Sequence, residues 1–355
     1  MSCRRGRPRI PLSVLASLPQ DRTMSRRRVR STPPPRRRLF HQPLLIGATL
    51  GGAVVVAGII AWALLSTALY PAPTSTGGCR GTPAFTANAA IVPAELGLAG
   101  QLALATDRPE KGLTLSALGT TLPSYQHPSW DDAGFLGGIA YDQAGNIYAA
   151  PTPRLSLADN PLAGQATIWR VASASADMRP FVTVPGAATA RNPYGIMSLT
   201  YVCGLERLYA GTVLGATPTE ERGGVVMIDP ATGEQTATLT GFDVLSVLIV
   251  ETGQGYELYA GLARRPEVIA VALDARGQAR EAPRLLLDLT QAGASASERA
   301  RKLQVAGGML LVDLVPFNYS LQSSASDLPQ VRRAVWAWDT RAWVAQQGAA
   351  AQTGP

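Results

Sequence analysis

The chain has 355 residues and a formal net charge of +7, long enough to bury a large core, while a charged fraction of 16% is too low for a disordered body. Twelve arginines against Asp21 give residues 1–42 a charge of +11, which leaves −4 for the remainder. The basic total therefore does not make the body a nucleic-acid binder, and only two histidines exclude a His-rich metal centre.

Residues 1–42 read as an Arg/Pro-rich tail, in which Pro33-Pro34-Pro35 favours extended, unpacked chain. Met24 opens the run MSRRRVRSTPPPRRR and reads as an alternative start to Met1. From Pro43 to Tyr70 no residue is charged. As a helix this run would be roughly 42 Å long at 1.5 Å per residue, more than a bilayer core requires. Arginines precede it and residues 71–79 carry no charge, so the positive-inside rule places the tail in the cytoplasm and the body outside. The apolar stretch is about twice the length of a signal-peptide core and lacks a clean A-x-A site, so an uncleaved signal anchor is expected. The expected localisation is the cell membrane, single-pass, with the lipid bilayer as first partner. Lysine occurs only at Lys111 and Lys302 amid abundant arginine, alanine and glycine, which suggests a GC-rich bacterial genome.

Residues 71–90 are rich in Pro, Thr, Gly and Ala and read as a linker. Cys3 would be cytoplasmic, which leaves Cys79 and Cys203 as the candidate disulfide in an oxidising space. The alternative is two unpaired thiols.

Beyond the linker, residues 91–345 show short apolar segments between turn residues, followed by a tail at 346–355. Helical patterning is weak, with the best stretches at Ala294–Arg301 and Thr340–Gln347. One phrase recurs as Ile147-Tyr148-Ala149-Ala150, Leu208-Tyr209-Ala210-Gly211 and Leu258-Tyr259-Ala260-Gly261, with a degenerate copy at Leu310-Leu311-Val312-Asp313. An apolar strand and a polar turn precede each copy, and a further strand such as ATIWRVA or GGVVMID follows. The unit is four antiparallel strands in about 50–60 residues, which cannot bury both faces alone; stacking such units around an axis gives a β-propeller. Five or six blades are expected, with a large β-sandwich as the alternative.

The sequence GIAYDQAGNIYAA followed by ATIWRV, and strands ending in Asp (Ile228-Asp229, Leu273-Asp274, Trp338-Asp339), resemble NHL and gluconolactonase-like propellers over about residues 130–340. That resemblance implies Glu, Asn and Asp pointing into the central channel around a divalent metal, Ca²⁺ or another hard cation. Only Asn192 and Asp243 stand near such positions, so they are the candidate metal ligands.

The candidate ligand-binding residues lie in the predicted mouth loops. Trp130, Asp131 and Asp132 join carboxylates to an aromatic, suited to a cation or a stacked sugar; Asn192 and Tyr194 lie in RNPYG, and Asn318 and Tyr319 in a long loop. Each also has a structural reading, as a turn or a solvated loop. His127 is the one histidine outside the tail, and no Gly-x-Ser-x-Gly, Walker loop, Cys-x-x-Cys or His-Glu-x-x-His sequence is present. No catalytic residue is assigned and whether the chain is an enzyme is left open. The expected function is a membrane-anchored extracytoplasmic binding or scaffolding propeller without a cofactor, its partner a protein, small molecule or carbohydrate at the mouth. The alternative is a lactonase/hydrolase-type enzyme with a channel metal.

Overall fold

The computed structural model describes residues 72–94, 102–106, 111–117, 124–154, 161–321 and 331–344, all within the unit Ala61–Pro355. The tail at 1–42, the apolar run at 43–70 and the tail at 346–355 lie outside the described residues. Among the described residues no helix is long and apolar enough to cross a membrane.

In chain order, β1 (Pro73–Thr76) is followed by the antiparallel pair β2 (Leu102–Ala105) and β3 (Thr114–Ala117). Four antiparallel meanders come next. The first is β4 (Leu136–Tyr141), β5 (Ile147–Pro151), β6 (Thr167–Val171) and β7 (Met178–Thr183). The second is β8 (Ile196–Val202), β9 (Arg207–Thr212), β10 (Gly224–Ile228) and β11 (Gln235–Thr240). The third is β12 (Val244–Thr252), β13 (Gly255–Leu262), β14 (Glu267–Ala272) and β15 (Arg284–Asp288). The fourth is β16 (Glu298–Ala306), β17 (Met309–Pro316), β18 (Arg332–Ala337) and β19 (Ala342–Trp343).

Successive sheets pack face to face. Tyr148 and Ile168 of the first meet Leu199 and Leu208 of the second, Tyr209 and Val225 of the second meet Val247 and Leu258 of the third, and Tyr259 and Val268 of the third meet Leu303 and Val312 of the fourth. Leu113 and Leu115, from the short pair, pack against Leu136 and Ile147 of the first meander. Four-stranded meanders stacked in this way, with their first strands sharing one cavity, make the chain an all-β propeller.

The recurring phrase is the second strand of each meander. Tyr148, Tyr209 and Tyr259 are each fully buried, so each hydroxyl needs a partner. They donate to Asp142 at 2.9 Å, to the Gly277 carbonyl at 2.9 Å and to Glu257 at 3.3 Å. The aspartates that end strands hold their own turns: Asp229 accepts from the amides of Ala231 and Thr232, and Asp274 from those of Arg276 and Gln278.

Two expectations are corrected. Part of the stretch expected as a linker is structured: β1 adds to the free edge of β12, with Thr76 opposite Val250, and Phe85 is buried. Cys79 and Cys203 form a disulfide with Cα atoms 5.1 Å apart, and the Gly77 carbonyl accepts from the Cys203 amide. Neither helical stretch forms a helix among its described residues. Glu298 to Arg301 belong to β16 and Ala342–Trp343 is β19, because pairing with β17 and β18 outweighs a weak local helical preference.

Candidate functional site

The first strands β4, β8, β12 and β16 turn their edges toward a cavity of about 610 Å³. Each strand carries a register break near its start, between Leu136 and Ile139, Ile196 and Ser198, Val244 and Ser246, and Ala300 and Lys302. A bulge frees a backbone group and re-aims a side chain. The bulged residues are Met197 in β8, Leu245 in β12 and Arg301 in β16, with the Gly137-Gly138 pair in β4.

Arg301 reaches across from the fourth sheet. Its Nη1 donates to the carbonyls of Met197 at 2.7 Å and Leu245 at 3.3 Å. Burial pulls its pKa below the ordinary arginine value, and the nearby Tyr194 acts in the opposite direction; an arginine so placed stays charged. Lys302 is exposed and lines the same cavity. Its cross-strand neighbour Asp313 is held by Arg333 through two hydrogen bonds of 2.6 and 3.0 Å. Arg154 is the third cation of the lining, stacked 5.3 Å over the Phe135 ring and donating to the Thr106 carbonyl. No Asp or Glu lines the cavity among the described residues.

Beside Met197 and Leu245 sits a cluster that includes Val213, Ala216 and Tyr319, with Tyr194 and Phe317 packed on it. Phe317 lies 5.3 Å from both Tyr194 and Tyr319, measured between ring centres. Burial raises the pKa of the Tyr194 hydroxyl. The Tyr319 hydroxyl is raised too, first by burial and then by Asp243.

The sequence candidates separate into groups. Asn192, Tyr194, Asp243 and Tyr319 are brought together around this cluster, yet two of them serve the fold. Asn192 is fully buried, and its Nδ2 donates to the carbonyls of Val213 and Ala216. Asp243 is fully buried and accepts from the amides of Arg222 at 3.0 Å and Gly223 at 2.8 Å and from the Tyr319 hydroxyl, with Arg264 Nε at 3.7 Å. Asn318 is exposed and caps the Ser320 amide.

Trp130, Asp131 and Asp132 stand apart from the cavity. Trp130 is fully buried, and its indole N–H donates to the Ala176 carbonyl at 2.9 Å, so its ring offers no stacking face. Asp131 and Asp132 are exposed and border a separate pocket of about 630 Å³, where Phe135 and Trp169 are the aromatic residues.

Sequence reasoning missed Arg154, Arg301 and Lys302 as site residues. The one available signal was RARKL, 299–303, which carries Arg301 where the corresponding stretches of two other meanders, GIMSL and DVLSV, carry Met197 and Leu245. Among the described residues no group of three or more His, Cys, Asp or Glu is placed to hold a metal ion.

No protein-family model matches the sequence, and no curated protein matches it. The structure is similar to regucalcin, a calcium-binding protein from Agrobacterium tumefaciens, at 13% identity and a TM-score of 0.44, covering 69% of each chain. It is also similar to a chain of a nidogen/laminin complex, at 9% identity and a TM-score of 0.40, covering 69% of this chain and 91% of that one. A third similarity is to an endo-arabinase from Bacteroides thetaiotaomicron, at 12% identity and a TM-score of 0.33, covering 58% of this chain and 77% of that one. No activity is carried over from them.

Proposed function

We propose that the chain is a membrane-anchored, extracytoplasmic propeller of five blades that acts as a ligand-binding module. The short β2–β3 sheet supplies the fifth blade and closes the ring. The observation that carries this reading is the inner-edge cavity, lined by three cations and, among the described residues, by no carboxylate. Such a lining suits capture of a small molecule and repels a divalent ion. Asp243, the one acid among the candidate metal ligands, already has its carboxylate engaged by Arg222, Gly223 and Tyr319.

The uncharged run at 43–70 behind a tail of +11 supports the anchor and its direction. The Cys79–Cys203 disulfide suits an oxidising compartment. A reporter enzyme fused after Pro355 in the full chain is expected to be active only outside the cytoplasm; cytoplasmic activity would refute the anchored topology. The competing reading is a metal-dependent lactonase or hydrolase, for which equilibrium dialysis of the full chain should find one tightly held divalent ion. The binding-module reading expects none.

A further inference from the structure

We infer that the inner-edge cavity receives a small organic anion, its carboxylate or phosphate group seated on the free edge of Arg301 with Lys302 beside it. This rests on the binding-module reading and names the ligand class.

Arg301 is held by one side only. Its Nη1 is committed to the Met197 and Leu245 carbonyls, which fixes the guanidinium plane. The remaining N–H groups have no acceptor among the described residues. A guanidinium fixed along one edge and open along the other offers a planar fork that matches two oxygens of a carboxylate or phosphate. Arg301 is half-buried and none of its unbonded nitrogens is sealed from solvent, so a ligand in the cavity can reach them. The described chain supplies no acid to this cavity, so the counter-charge comes from outside it.

Lys302 adds a second positive group one residue away. The acid across the strand pair, Asp313, has both oxygens on Arg333. Arg154 deepens the same field from the far side while keeping its own contacts to Thr106 and Phe135. Three like charges around one small space repel each other, and an anion turns that cost into attraction, strengthened where water is partly excluded. Between the cations the walls include Leu136, Ile139, Leu199, Val247 and Leu248, which suit an apolar body. A volume of about 610 Å³ is in the range of small-molecule sites.

The test uses the full chain in nanodiscs and isothermal titration with three probes that share one ring: phenylacetate, phenyl phosphate and benzyl alcohol. At least one anion should bind tenfold or more tightly than the alcohol, and its affinity should fall as salt rises. The carboxylate and phosphate arms show which group the site prefers. Lys302→Gln, at an exposed position, should weaken the anion about tenfold and leave the alcohol unchanged, and Lys302→Arg should restore the anion. Equal binding of all three probes, unaffected by Lys302→Gln, overturns the anion assignment while the binding-module reading stands. Absence of binding by both anions at millimolar concentration overturns the assignment as well. Tight, stoichiometric Ca²⁺ in place of the anions overturns the binding-module reading itself.

Discussion

Asp243→Ala separates a structural role from a metal-binding one. The carboxylate is fully buried and accepts from the amides of Arg222 and Gly223 and from the Tyr319 hydroxyl. Truncation strands these donors. The Gly223 and Tyr319 donors are buried, and each stranded buried donor costs about 1–3 kcal/mol. A total of about 4 kcal/mol agrees with the roughly 3–5 kcal/mol lost when a buried charge interaction is broken from one side. At about 2–4 °C per kcal/mol for a body of this size, the midpoint should fall by about 8–16 °C. Tyr319→Phe removes one donor and should cost about 1–2 kcal/mol. The assay is thermal unfolding in EDTA and again in excess Ca²⁺, and the same loss is expected in both. If Asp243→Ala unfolds at the wild-type midpoint in EDTA and loses only a Ca²⁺-dependent gain, the structural assignment is wrong.

Three further outcomes are expected. Gly261→Ala would place a Cβ 2.4 Å from Ser246 Oγ and 2.7 Å from the Ala300 carbonyl, disturbing the Ser246-to-Ala300 hydrogen bond. It should cost about 1–3 kcal/mol in urea unfolding, whereas Gly253→Ala, with open space around it, should stay within about 0.5 kcal/mol. Replacing Cys79 and Cys203 by Ser opens a loop with a sequence separation of 124 and should cost about 2–4 kcal/mol, with faster hydrogen exchange where β1 covers Val250 and Glu251. Hydrogen bonds from Arg332, and then from Ser295, hold the Glu298 carboxyl below the usual carboxylate range. The fold therefore favours the ionised form, and its stabilisation is present above about pH 4.3 and lost as pH falls through the lowered value. Glu298→Gln should flatten the acid limb of stability against pH, and an unchanged limb would contradict the assignment.

The repeat was legible because burial imposes composition. Each Tyr-Ala phrase is a second strand enclosed between neighbouring sheets, so it must be apolar, with small residues where the next sheet approaches. Even the degenerate copy at Leu310 lies in β17. Other features left no such trace. β1 was hidden because a Pro/Thr/Ser segment pairing one edge looks like a linker. Trp130 misled because the chain turns its ring inward while Asp131 and Asp132 face solvent, and adjacency in sequence carries no information about that division. Asn192 and Asp243 find their partners in other segments, the Val213 and Ala216 carbonyls for the first and the Arg222 and Gly223 amides and the Tyr319 hydroxyl for the second, which sequence spacing does not reveal.

The bulges explain why one charge breaks the pattern of the inner strands. A carbonyl freed at a bulge in a partly closed space needs a donor. Thr106 supplies one to Gly137, Ser246 supplies one to Ala300, and Arg301 supplies Met197 and Leu245 together. Each donor comes from a different sheet, or a different segment, from its acceptor, so these bonds also tie the inner edges together, Arg301 joining the fourth meander to both the third and the second. A serine or threonine would satisfy one such carbonyl with nothing left over. Arginine has five N–H donors, and two carbonyls do not exhaust them. The residue that completes the inner seam thus also leaves a directed cationic edge inside the cavity, off-centre and on the fourth blade, so a bound anion is oriented toward β16.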